Sequence, residues 1–97
     1  GLISHDNPPD LPRAMALVEA ALDQAPGRPE FLDTRGTIHM KMGRHRKASI
    51  DLEAALPQMP DREKPDILNR LAEIYEALKM HEIADGFRDQ ARKLLGR

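Results

Sequence analysis

The stretch Val18-Glu-Ala-Ala-Leu-Asp-Gln-Ala-Pro26 returns as Leu52-Glu-Ala-Ala-Leu-Pro-Gln-Met-Pro60, displaced by 34 residues and identical at six of nine positions. Ala14 and Ala48 extend the match upstream at the same displacement. An echo at a fixed period of this length is the mark of a chain built from stacked supersecondary units, each too small to bury its own apolar face. A third, looser copy follows at a displacement of 36. Leu32, Gly36, His39, His45, Ala48 and Ala55 correspond there to Leu68, Ala72, Tyr75, His81, Ala84 and Ala91. The two extra residues fall in the polar segment Asp61–Lys64.

The repeated unit is helical. Leu11, Ala14, Met15, Val18, Ala21, Leu22 and Ala25 recur at helical spacing and predict a helix over 11–24, with Asp10 as its N-cap and Pro12 in its first turn. Pro26, Gly27 and Pro29 end it. A second helix is expected from about Glu30 to Met42, stopped by Gly43, and a third over about 45–56, closed by Pro57 and Pro60. Beyond Asp61–Lys64, the residues Ile67, Leu68, Leu71, Ala72, Ile74, Tyr75 and Leu78 form a fourth amphipathic stripe. A fifth helix runs from about Glu82 to Leu95. Residues 1–9, with Asn7, Pro8 and Pro9 together, form an irregular lead-in. No segment alternates with the period of two that a half-buried strand needs, so the fold class is all-α.

Composition narrows the function. At 97 residues one compact unit is expected, and 15 basic against 16 acidic residues leave a formal charge of −1. That balance removes the electrostatic case for nucleic acid. The absence of cysteine excludes disulfides, thiolate metal sites and cysteine nucleophiles, and leaves the compartment open. No stretch approaches the roughly 20 apolar residues needed to cross a bilayer, so no membrane insertion is expected. Among His5, His39, His45 and His81 no pair has the spacing of three or four that a helical metal site uses. Carboxylate pairs such as Asp61 with Glu63, or Glu73 with Glu76, have no implied cleft to shift a pKa. Of the two serines, Ser4 and Ser49, the second is expected at the surface of a helix. No enzyme activity, metal or cofactor is predicted.

Residues 29–62 resemble the tetratricopeptide repeat: Leu32 stands in its first large position, Gly36 in its small position, Ala48 and Ala55 in its second helix, and Pro60 at its end. Three positions depart from the pattern. Arg35 replaces a leucine, His39 an aromatic, and Arg88 the aromatic of the last unit, where a terminal helix needs a polar outer face. The polar Arg88 thereby suggests a natural C-terminal end near Arg97. The resemblance implies a right-handed α-solenoid of antiparallel helix pairs with five helices: 11–24 as half a repeat, one repeat over 29–62 and another over 65–97. It implies that Gly36 and Ala48 are small because paired helices approach closely there, with Leu32, Leu52 and Leu56 filling the space around the contact.

The resemblance also implies a function, a protein-interaction scaffold that binds a partner peptide or protein on the concave face lined by first helices. By register that face carries Glu30, Asp33, Thr37, Met40 and Lys41, then Asp66, Asn69, Arg70, Glu73 and Glu76. Five of the ten are acidic against two basic, so a partner with Lys or Arg is expected, while Lys41 and Arg70 suit a carboxylate or carbonyl. Asp33 and Thr37 stand where a chaperone-tail binder would want Lys and Asn, which disfavours that ligand. Two alternatives remain open at this point. Helix 11–24 lacks a first-helix partner, so its apolar face, including Met15 and Val18, offers a homodimer contact or an assembly element; or the unit is a non-catalytic accessory domain of a larger enzyme.

Overall fold

The computed structural model describes residues 10–96; the lead-in over 1–9, with Ser4 and His5, and the terminal Arg97 lie outside the described residues. Among the described residues five α-helices follow one another: α1 (Leu11–Gln24), α2 (Pro29–Lys41), α3 (His45–Ala55), α4 (Lys64–Ala77) and α5 (His81–Leu95). Two single-turn 3-10 helices, Leu56–Gln58 and Asp61–Glu63, bridge α3 to α4. Among the described residues there is no strand. Among these residues, too, no helix is long and apolar enough to cross a membrane.

The expected caps form. Asp10 accepts a hydrogen bond from the Arg13 amide at 3.0 Å, satisfying a first-turn donor of α1. Pro12, Pro29 and Pro65 occupy first turns, where a missing amide hydrogen costs nothing. The insertion that lengthens the period from 34 to 36 residues becomes the turn Asp61–Glu63, closed by the Glu63 amide on the Pro60 carbonyl at 2.9 Å.

The two longest-paired turns repeat each other bond for bond. Leaving α2, Gly43 donates to the Met40 carbonyl at 3.0 Å and Arg44 to the His39 carbonyl at 2.8 Å. Leaving α4, Lys79 donates to Glu76 at 2.9 Å and Met80 to Tyr75 at 2.8 Å. Each is a Schellman closure, and each needs a left-handed residue at the same place. Gly43 supplies it at φ 79°, whereas Lys79 adopts φ 63° with a side chain attached.

Packing runs along the chain. The broadest contacts join α2 to α3 and α4 to α5, with α1 on α2 and α3 on α4 linking them. The tightest approach is at Gly36, where a β-carbon would stand 2.8 Å from Leu52 Cγ and 3.2 Å from the Ala48 carbonyl oxygen. Leu52 is fully buried and cannot swing away. Around this contact Ile67, Leu71 and Ile74 are also fully buried, so the apolar stripes of α3 and α4 form one core.

Two sequence expectations change. Ser49 is buried, not at the surface: its hydroxyl donates to the Arg46 carbonyl at 2.8 Å, so the polar atom enters the core with its bond made. Met15 and Val18 belong to the same core cluster as Leu32 and Leu52, so the apolar face expected to be open for self-contact is already covered at these two residues. The exposed large apolar side chain of α1 is Leu17.

Replacing Lys79 by Gly relieves the left-handed backbone strain and is expected to raise unfolding stability by up to about 1 kcal/mol, since a non-glycine residue pays roughly that penalty there. Urea denaturation with unchanged m-value checks it. A Lys79→Gly chain no more stable than the parent contradicts the strained turn.

Candidate functional site

The inner residues of α2 and α4 come together. Arg70 Nη1 reaches Asp33 Oδ1 at 2.9 Å and Thr37 Oγ1 at 3.4 Å, tying α4 to α2 across 37 and 33 positions of sequence. Asp33, Thr37, Lys41 and Arg70 line a shallow depression of about 390 Å³ with Leu11 and Ala14 of α1. Four of the ten predicted face residues thus share one concavity.

The remaining six are distributed as follows. Glu30 is exposed beside Arg28, 3.5 Å away. Met40 is half-buried and packs against the core. Asp66, Asn69 and Glu73 are exposed on α4. Glu76 turns toward α5, where Arg88 Nη1 donates to its Oε2 at 2.7 Å and His81 pairs with its other oxygen. The Arg88 bond, then the His81 bond, hold the Glu76 carboxyl below the usual carboxylate range. Arg88, expected as a purely outer polar residue, is half-buried by this contact.

The acidity of the face is consequently smaller than its residue list suggests. Asp33 and Glu76 already hold arginines, and Arg70 is used within the fold. Asp66, Glu73 and Lys41 have no ion-pair partner among the described residues and face solvent.

A second polar cluster, which the spacing of the sequence does not predict as a unit, joins α2 to α3. Asp51 of α3 is only 4% exposed and accepts two bonds from Arg35 of α2, from Nε at 2.8 Å and Nη2 at 2.9 Å. His39 Nε2 lies 3.9 Å from the same carboxylate, and its buried Nδ1 has no hydrogen-bond partner among the described residues. The bidentate bond to Asp51 pushes the Arg35 guanidinium up. Burial pushes the His39 imidazole below its ordinary value; Asp51 opposes this, and Arg44, Arg35 and Lys47 reinforce it.

At a displacement of 36 these three positions become Leu71, Tyr75 and Phe87. In that copy Leu71 is fully buried and Tyr75 stacks on Phe87 with ring centroids 5.6 Å apart. The Tyr75 hydroxyl finds Glu53 Oε2 of α3 at 2.5 Å. One copy therefore joins its helices by an ion pair where the other uses a leucine and stacked rings. The signal was present in the sequence: Arg35 and Asp51 are opposite charges at two positions that are both apolar in the neighbouring copy.

Among the described residues no group of three His, Cys, Asp or Glu side chains is placed to hold a metal ion. Comparison with family models, with curated proteins and with solved structures finds no match to this chain.

Arg35→Leu alone leaves the Asp51 carboxylate buried without its donor and is expected to cost about 3 kcal/mol, at the low end for a broken buried pair because Arg35 keeps 29% side-chain exposure. The triple change Arg35→Leu, His39→Tyr and Asp51→Phe, which installs the set of the other copy, is expected to recover at least that loss in urea denaturation. A triple variant weaker than Arg35→Leu refutes the equivalence of the two clusters.

His39 also sets a pH dependence. Its folded pKa is lowered, so the unfolded chain takes up the proton first as pH falls through about 6.5, and the His39 contribution is complete above that pH and lost below it. The drop in stability between pH 7.5 and 5.5 is expected to be larger in the parent than in His39→Tyr; equal drops contradict a buried neutral imidazole.

Proposed function

We propose that this chain is a protein-interaction module of the tetratricopeptide kind, in which α2–α3 and α4–α5 are consecutive antiparallel pairs of a right-handed α-solenoid and α1 is the second helix of a preceding unit. The face lined by α2 and α4 takes an extended segment of a partner protein. The 34- and 36-residue echoes, the matching turns after α2 and α4 and the close approach at Gly36 support the repeat assignment.

The observation that carries the binding function is the bridge from Arg70 to Asp33 and Thr37. It brings the inner rows of two first helices side by side, far apart in sequence, while leaving Asp66, Glu73 and Lys41 open to solvent. Internal pairing fixes the wall, and the unpaired charges set the preference. A partner segment is favoured that places Lys or Arg against Asp66 and Glu73 on α4 and a carboxylate against Lys41 on α2. Each exposed pair contributes only about 0.2–1 kcal/mol, so charge selects and orients the segment more than it holds it. Backbone and apolar contacts with Leu11 and Ala14 at the floor supply the rest.

Selection of random peptides on the full chain is expected to enrich sequences with Lys or Arg. Asp66→Lys with Glu73→Lys is expected to weaken the enriched peptides at least about tenfold, by two lost attractions and two new repulsions. Glu82→Lys, on the exposed start of α5, serves as the control and leaves binding unchanged. Enrichment without basic residues, or equal loss in the control, removes the concave face as the site. Reversal at Asp33 or Glu76 is a poor test, because both carboxylates hold structural arginines.

A further inference from the structure

The turns that leave α2 and α4 meet at one edge of the fold. Residues 43–47 line a shallow depression of about 410 Å³ whose remaining wall is Leu78. The next five residues, 79–83, line a second one beside it. Residues 43–47 and 78–83 together hold four cations, Arg44, Arg46, Lys47 and Lys79, against one acid, Glu82, while the rest of the chain holds 11 basic and 15 acidic residues. An edge of net charge +3 therefore stands on a body of −4. All four cations are exposed, and none has an ion-pair partner among the described residues. Large apolar side chains are exposed with them. Met80 is 38% and Ile83 47% exposed, and Ile50, at 67%, shares a further depression with Arg44 and Lys47.

Folding does not account for these cations. Arg44, Arg46 and Lys47 crowd the N-terminal end of α3, where the helix already presents positive potential and no acid stands in the first turn. The equivalent start of α1 is capped by Asp10, and that of α5 carries Glu82. Lys79 occupies the left-handed place that Gly43 fills in the preceding turn. Two neighbouring turns thus give up stability, each for a cation on the same edge, and strain kept at one surface points to a use for that surface.

We propose that this edge docks peripherally, with no spanning helix, on a bilayer surface that bears anionic phospholipid. Such a surface supplies negative headgroups with an apolar layer directly beneath them. That combination matches cations on long stems interleaved with Ile50, Met80 and Ile83. An acidic protein segment offers the charge alone and fits one continuous groove, whereas the depressions here are separate and shallow. The acidic body is repelled by the same bilayer, so the edge is the part that faces it. Asp66 and Glu73 lie outside these turns, and the proposal stands apart from the peptide-binding reading.

The test is co-sedimentation of the full chain with vesicles of equal parts phosphatidylcholine and phosphatidylserine. Binding is expected there and not with phosphatidylcholine alone, and it is expected to weaken as salt rises. Arg46→Glu with Lys47→Glu is expected to reduce partitioning at least about tenfold. It is expected to leave the thermal unfolding midpoint unchanged or higher, since a first-turn carboxylate favours α3. Arg62→Glu with Lys93→Glu makes the same charge change at exposed residues outside these turns and is expected to stay within about twofold of the parent. Lys79→Gly is expected to bind less while unfolding at a higher temperature, and Ile83→Ser to lose the binding that persists at high salt. No preference for the anionic vesicles, equal loss in the control pair, or parent-like partitioning of both Lys79→Gly and Ile83→Ser overturns the proposal. A lower unfolding midpoint for Arg46→Glu with Lys47→Glu also overturns it, because the cations are then structural. So does binding to poly-glutamate without binding to vesicles, which assigns the edge to an acidic protein partner.

Discussion

The approach of α2 to α3 at Gly36 is the constraint from which the arrangement follows. With no side chain at Gly36, the α2 backbone comes close enough that Leu52 and the Ala48 carbonyl occupy the space a β-carbon would need. That proximity lets Leu52 be fully buried between helices and connects it with Ile67, Leu71 and Ile74 of α4 in a single core. Because α3 contacts both α2 and α4, its position constrains the spacing of those two helices. The bridge from Arg70 to Asp33 is a consequence of that spacing.

The contrast between the two pair interfaces shows how one backbone geometry tolerates opposite chemistries. Leu71, Tyr75 and Phe87 join α4 to α5 by burial and ring stacking, whereas Arg35, His39 and Asp51 join α2 to α3 through a bidentate ion pair with a neutral imidazole beside it. The ion pair repays the desolvation of its charges only through directed bonds, so it specifies a mutual position for α2 and α3 more narrowly than an apolar contact does. It also brings in an imidazole that burial pushes below its ordinary value, where the other copy carries the Tyr75 phenol, pushed up by its hydrogen bond to Glu53. The unmatched Nδ1 of His39 is the cost of fitting an imidazole into a ring-shaped space.

Charge on the candidate binding face is divided between structure and solvent. Arg70 and Arg88 take up Asp33 and Glu76 within the fold, and what faces outward is a sparse pattern of Asp66, Glu73 and Lys41. A sparse pattern with an apolar floor suits recognition in which charge sets orientation and shape sets affinity.

The sequence by itself determined the all-helical class, the helix bounds to within a residue or two, the Asp10 cap, the Gly43 stop and the small-residue contact. These are local matters of spacing, capping and backbone freedom, and the 34-residue echo repeated them in plain view. It did not determine which charges remain available. Arg70 meets Asp33 across 37 positions, Arg35 meets Asp51 across 16 and Ser49 is buried on its own helix, because side-chain pairing depends on which helix faces pack. Tertiary structure also decided the state of α1. A helix with an apolar stripe reads the same whether one face or two will be covered, and only packing separated the buried Met15 and Val18 from the exposed Leu17.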